Sequence, residues 1–308
     1  MPGLVRLGVD FGGSKIALAV VDDAGERLGQ AVLPVTPTDS AQQHFDRAVA
    51  RAHRLLAEVA PDRLLAAVGA CTFGIPRVDR IDLAPNIAGW EQLAFGRRLQ
   101  LAFPDARIMM ATDVKAAAAY EAEHGALVGH DPGLYLNLGT GLAAAIVTHG
   151  VVLTGRHGAA GEIGYNLRHI GDGKDEVRLE EVVSGKALAA AGAALPGGVA
   201  SLLDRATDDP RAARLRSAFL DELAYHLVNL AIAVDPARVV VGGGMVRSWD
   251  QLRPALESAL ADAVPFPPEV VPAAHPYDAP LRGALVMAAS AVAPSTDRRP
   301  AYTEGAPA

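Results

Sequence analysis

Cysteine is almost missing from this chain: Cys71 is the single one among 308 residues. That scarcity excludes an intrachain disulfide and any zinc or iron–sulfur centre built on clustered thiolates. Lysine is also rare, at Lys15, Lys115, Lys174 and Lys186, and 28 basic residues face 35 acidic ones for a net charge of -7. A basic field that releases counterions from nucleic acid or meets anionic lipid is therefore lacking, and neither partner is expected. The first apolar run carries Asp10, has no cleavage-type region and falls short of the ~20 apolar residues of a membrane span, so a cytoplasmic protein is expected. There is no G-x-x-x-x-G-K-[ST] run and no G-x-G-x-x-G fingerprint. What the chain does have is apolar bulk, with 50% hydrophobic and 20% charged residues, enough to fill a large core. Its length points to two lobes.

Residues 5–10 form a near-continuous apolar run that Phe11-Gly12-Gly13-Ser14 breaks and residues 15–21 resume. A turn signal at residues 22–25 leads to a third run, 27–35, before Pro37. Three antiparallel strands are predicted. From Ser40 to Ala60 apolar residues recur at helical spacing, with Ser40 as N-cap and Pro61 as the stop. Residues 64–71 then read as a buried strand in which Cys71 is a packed core thiol. After Gly133 the opening pattern returns: an apolar run at 134–138, a break at Gly139-Thr140-Gly141, a run at 143–148, a turn at His149-Gly150 and a run at 151–153. This repetition predicts a duplicated α/β chain, two related lobes facing each other across a ligand cleft. The expected lobes are 1–112, completed by a C-terminal helix at 281–292, and 113–280. Further helices are expected at 211–234 and 249–263, a strand at 238–241, and a disordered tail at 294–308.

Two glycine turns at equivalent points make a clamp for a polyphosphate, because backbone N–H groups reach phosphate oxygens only where no Cβ intervenes. Asp10 would repel a bare pyrophosphate at the first turn, but beside Gly12 and Gly13 it suits a Mg²⁺-nucleotide. Gly242-Gly243-Gly244, at a strand end, adds a third place of close backbone approach. Each turn alone is equally compatible with a plain hairpin.

Seven motifs together carry a family resemblance: L-G-V-D-F-G-G-S-K from Leu7, A-P-N-I-A-G-W from Ala84, T-D-V-K-A-A-A-A-Y-E from Thr112, L-G-T-G from Leu138, A-G-E-I-G-Y from Ala160, E-E-V-V-S-G from Glu180 and V-V-G-G-G from Val240. In order and spacing, from about residue 5 to 292, they resemble the ROK family of bacterial sugar kinases and repressors. The resemblance implies the actin-like ATPase fold, a duplicated ribonuclease-H-like α/β architecture, and ATP-dependent phosphorylation of the 6-hydroxyl of a hexose or aminohexose. It gives Asp10 to Mg²⁺ and the phosphates, Gly12, Gly13, Ser14 and Lys15 to a first phosphate loop, Gly139, Thr140 and Gly141 to a second, and Gly243 and Gly244 to the adenosine of ATP. Asp113 matches the general base, and Asn86, Glu162 and Glu180 match ligands of the sugar hydroxyls. Without the motif frame, Asp113 reads as a helix N-cap and the two glutamates as solvated carboxylates.

The chain also departs from the family. Most members carry a structural zinc on one histidine and three cysteines; here Tyr165 replaces the histidine and Gly171, Gly173 and Arg178 the cysteines, so no zinc is expected. The loop is then expected to be held by hydrogen bonds or salt bridges of Lys174, Asp175, Glu176 or Arg178, and Tyr165 either gives the sugar a hydroxyl or walls the pocket. Thr112 replaces an asparagine before the base, the segment 74–79 has Arg77 where a glycine is usual, and Ala143, Ala144 and Ala145 replace glycines, with methyls expected to tighten the phosphate loop. A pocket keeping Asp113, Glu162 and Glu180 while losing amide donors favours an aminosugar, for which kanosamine, the substrate of one family branch, is a candidate. The alternative is a regulatory or catalytically weak sugar-binding member. A repressor is disfavoured because Asp10 comes too early to leave room for a helix-turn-helix, and a homodimer is expected by resemblance.

Overall fold

In the computed structural model, which describes residues 3–36, 38–84, 87–168, 177–193 and 209–293, the apolar runs of the sequence become two five-stranded sheets. The chain divides into two units. One holds the described residues up to Tyr120, Thr154–Ala159 and those from Asp278 onward; the other holds Glu121–Leu153 and the described residues from Ala160 to Tyr277. The tail at 294–308 lies outside the described residues.

In the first unit β1 (Leu4–Phe11), β2 (Lys15–Asp22) and β3 (Arg27–Pro34) pair antiparallel, as the turn signals require. Helix α1 (Ala41–Val59) follows, and Ser40 starts it with a capping box: its hydroxyl accepts from Gln43 N while Gln43 Oε1 accepts from Ser40 N. The stripe Phe45, Ala48, Ala52 and Leu55 is buried, and Phe45 stacks on Phe11 with centroids 5.7 Å apart. Each such large apolar side chain contributes about 2 kcal/mol of burial. β4 (Leu64–Thr72) adds to β1 in parallel; a short hairpin, β5 (Ile75–Pro76) and β6 (Ile81–Asp82), and helix α2 (Phe95–Ala102) lead to β7 (Arg107–Thr112), parallel to β4. The strand order is β3-β2-β1-β4-β7. Helix α3 (Asp113–His124) leaves the end of β7.

The second unit repeats that plan. β8 (Gly133–Leu138), β9 (Leu142–Thr148) and β10 (Val151–Val152) are antiparallel neighbours, and β11 (Arg238–Gly242) and β12 (Glu269–Pro272) extend β8 in parallel, for the order β10-β9-β8-β11-β12. Its described helices are α4 (Gly185–Gly192), α5 (Pro210–Val234) and α6 (Trp249–Ala263). By length and composition α5 is apolar enough to cross a membrane. Its stripe Phe219, Leu223, Leu227 and Ala231 is instead buried in one core with Leu252, Leu256 and Leu260 of α6.

Helix α7 (Ala279–Val292) returns to the first unit, where Ala284, Met287 and Ala288 pack with Ala67, Cys71 and Met109. Two strand glycines make this possible. A Cβ on Gly69 would collide with the carbonyl of Ala284, and one on Gly8 with the side chain of Leu285.

Candidate active site

In the first unit, three parallel strands end at one edge. Asp10 stands opposite Cys71, Cys71 opposite Ala111, and Thr72 opposite Thr112, so Asp10, Thr112 and Asp113 collect at the carboxyl ends of β1 and β7. Ligands of open α/β sheets bind at such an edge. Asp10 is 8% exposed, and burial pushes its carboxyl up to about 6, against the opposing pull of the Cys71 thiol and the Lys15 charge. Cys71 Sγ lies 3.5 Å from Asp10 Oδ1 and 3.4 Å from the carbonyl of Pro280. Burial first, then the charges of Asp10 and Asp113, raise the thiol's pKa well above its usual value, so it acts as a neutral donor. Beyond β1 the turn is closed by Gly12 N donating to Lys15 O at 3.0 Å; Gly13, Ser14 and Lys15 are exposed, and the space over Gly13 is open. A carboxylate beside an open glycine turn offers the hard oxygen donor and the phosphate access that Mg²⁺ with a nucleotide requires.

Thr112 is buried, and its hydroxyl accepts from Lys115 N at 3.2 Å, which caps α3. Asp113 sits in the first turn with Oδ1 accepting from Val114 N at 2.9 Å. The cap that Asp113 suggests when read alone is thus made by Thr112. Lys115, 3% exposed, is a buried cation that the sequence reading did not single out. Arg77, at the position where a glycine is usual, bonds Asp82 through Nε at 2.8 Å and the carbonyl of His157 at 2.6 Å. Asn86 lies outside the described residues.

In the second unit the two other glycine clusters meet. Gly139 N donates to Gly141 O at 3.1 Å, while the carbonyls of Gly139 and Thr140 accept from Gly185 N and Lys186 N at the start of α4. Gly243, at φ 88°, lies against Leu138 and Gly139 so closely that a Cβ would collide with their backbone. Gly244 faces open space. Glu180 Oε2 accepts from Leu142 N at 2.8 Å, which ties this predicted sugar ligand to the chain just after the second glycine turn. Glu162 is set by Gly161, whose carbonyl accepts from Ala144 N at 2.7 Å, and its own carbonyl accepts from Tyr165 N at 3.1 Å. Ala143, Ala144 and Ala145 are buried positions of β9, the strand that leaves the second glycine turn.

Around Tyr165 a polar cluster forms. The Arg178 guanidinium lies 4.6 Å from the Tyr165 ring centroid. Arg168 holds Glu222 through two bonds, 2.7 and 3.0 Å, and keeps its carboxyl below the ordinary range. His226 Nε2 is 3.7 Å from Glu222, too far for a hydrogen bond, and burial pushes the imidazole pKa down while Glu222 pulls it up. Lys174, Asp175 and Glu176, expected to hold this loop, lie outside the described residues, as do Gly171 and Gly173.

Two sheets of one strand order, each with a glycine turn after its first strand, make this an α/β protein of the actin-like ATPase fold. The chain belongs to the ROK family, whose model matches residues 6–291. It is 26% identical over 290 residues to a glucokinase of Thermotoga maritima, covering 86% of this chain and 89% of that one. It is 27% identical over 297 residues to a kanosamine kinase of Amycolatopsis mediterranei, covering 92% and 95%. A solved structure of a ROK family glucokinase from Streptomyces griseus, in complex with glucose and AMPPNP, superposes with a TM-score of 0.72 at 26% identity, covering 91% of this chain and 97% of that one.

Proposed function

We propose that the chain is an ATP-dependent kinase that phosphorylates the 6-hydroxyl of a hexose or aminohexose. One observation carries the reading: Thr112 takes over the capping of α3, and Asp113 is held in the first turn at the same sheet edge as Asp10. In the reaction the hydroxyl oxygen forms a bond to the γ-phosphorus, the bond to the bridging oxygen breaks, ADP leaves, and Asp113 takes the hydroxyl proton. Such a loose transition state needs positioning and charge neutralisation more than a strong base, so an ordinary carboxylate serves. Bound with the nucleotide at Asp10, Mg²⁺ supplies positive charge to the phosphate oxygens. Gly12 and Gly139 close the two turns through their own N–H groups, Gly13, Ser14 and Lys15 with Thr140 and Gly141 face the phosphates, and Gly243 and Gly244 line the adenosine. Asn86, Thr112, Glu162 and Glu180 take the remaining sugar hydroxyls; Thr112 still has its O–H to donate, because the cap uses only a lone pair.

The choice of sugar rests on charge. Asp113, Glu162 and Glu180 favour an ammonium, and the resemblance to a kanosamine kinase along nearly the whole chain supports kanosamine as the specific candidate. We read the enzyme as cytoplasmic and homodimeric, with neither nucleic acid nor membrane as a partner and without zinc. The test is ADP release with Mg-ATP over kanosamine, glucosamine, N-acetylglucosamine, glucose and mannose. Turnover of at least one is expected, with kanosamine highest in kcat/KM. Sugar binding without ADP release would overturn the kinase reading in favour of a sugar-binding module, and a glucose preference would remove the aminosugar assignment alone.

A further inference from the structure

Tyr165 and Arg178 occupy two positions at which the family resemblance places zinc ligands, yet a phenol ring beneath a guanidinium offers neither the imidazole nor the thiolate of such a site, and Gly171 and Gly173 carry no donor side chains at all. The residues present do not fit the metal. What they form is a direct link between the two stretches of chain that flank residues 169–176. Leu167 and Arg178 pair as an antiparallel bridge, and Leu179 N donates to Asn166 O at 2.8 Å. The Arg168–Glu222 pair fastens the first stretch to α5. Glu162 lies one turn before Tyr165, and Glu180 two residues after Arg178.

We infer that the Tyr165–Arg178 stack is a metal-free clasp that closes 162–167 onto 178–181 and so positions Glu162 and Glu180 for the sugar. Tyr165 is then a positioning residue whose ring, not its hydroxyl, matters. A lysine in place of Arg178 keeps the charge but loses the planar face that lies on the ring. The inference rests on the sugar roles proposed above, and it deepens them.

A mutant cycle tests it in the full-length protein with Tyr165→Ala, Arg178→Ala, their double variant and Tyr165→Phe. Three readouts serve: sugar KM against kcat, the thermal unfolding midpoint, and the zinc content of the purified protein by mass spectrometry. Each alanine variant is expected to raise the sugar KM about tenfold with kcat changed less than about twofold, and the double variant to do little more than either single one, because partners in one contact are not additive. Tyr165→Phe is expected to recover most of what Tyr165→Ala loses, and zinc to be far below one ion per chain. The clasp is overturned if the two alanine effects multiply, if Tyr165→Phe is as impaired as Tyr165→Ala, or if zinc copurifies stoichiometrically. Should the wild type turn over no sugar, the kinase reading fails by itself; coupling in the unfolding midpoints still decides whether the clasp exists, with additive midpoint shifts counting against it.

Discussion

Asp10 and Cys71 face each other on adjacent parallel strands, and the thiol donates to the carboxyl across 3.5 Å. The pair shows how function is placed against stability here. A carboxyl pushed up to about 6 by burial, ionised at neutral pH, is held in the fold at a cost, and its stability contribution is present at low pH and lost as pH rises through about 6.

Asp10→Asn is therefore expected to stabilise the ligand-free protein at pH 7.5, by on the order of 2 kcal/mol, while reducing kcat/KM for Mg-ATP by about a hundredfold or more. Thermal unfolding and steady-state kinetics on the same sample check both halves. A variant that loses activity and stability together would contradict the account.

Glu180 serves two masters, since Oε2 accepts from Leu142 N. Glu180→Ala strips that N–H of its partner and is expected to raise KM for sugar and for ATP together. Glu180→Gln keeps an amide oxygen for Leu142 and is expected to raise mainly the sugar KM, by about tenfold. Initial-rate kinetics with each substrate varied in turn separates the two variants.

Gly69 packs under Ala284 of α7 so closely that even a methyl has no room. Gly69→Ala is expected to lower unfolding stability by about 2 kcal/mol or more, read from urea denaturation, whereas Gly13→Ala, facing open space, is expected to leave it within about 0.5 kcal/mol.

His226 has its pKa pushed below the ordinary 6.5 by burial, so below about pH 6.5 the unfolded chain binds a proton that the folded one refuses, and stability falls with pH. Glu222, lowered from 4.5 by Arg168, adds stability above that value which is lost as pH falls through its own lower pKa. Asp10 gains stability over the same interval in both proteins, so the His226 term is read from the difference: the unfolding midpoint of His226→Gln relative to the wild type is expected to rise as pH falls from 7 to 5. Equal pH dependence in the variant would show that His226 does not contribute.

Much of this was legible in the sequence because local signals set it. Gly12-Gly13 and Gly139-Thr140-Gly141 interrupt apolar runs at matching points, and that repetition corresponds to two sheets of one strand order. Ser40 was readable as a cap, and Trp249–Ala263 matches its expected bounds. β7 was not read, because Arg-Ile-Met-Met-Ala-Thr has few of the β-branched residues that mark strands, and β12 is only four residues long. The thiol contact of Asp10 joins residues 61 positions apart, and the Arg77 bond to His157 spans 80, distances at which composition and periodicity are silent. Thr112 looked like a pocket residue because the motif marked its position, not its backbone duty. Lys115 was hidden by its surroundings, since a lysine in an alanine-rich helix usually faces solvent and this one is buried.

The central claim is that Asp113 takes the proton as the sugar hydroxyl attacks ATP, and the rate of Asp113→Asn under saturating Mg-ATP and the preferred sugar tests it most directly. The account predicts a kcat lower by at least about a hundredfold, with sugar binding by calorimetry weakened far less. Retention of wild-type kcat in that variant would contradict it.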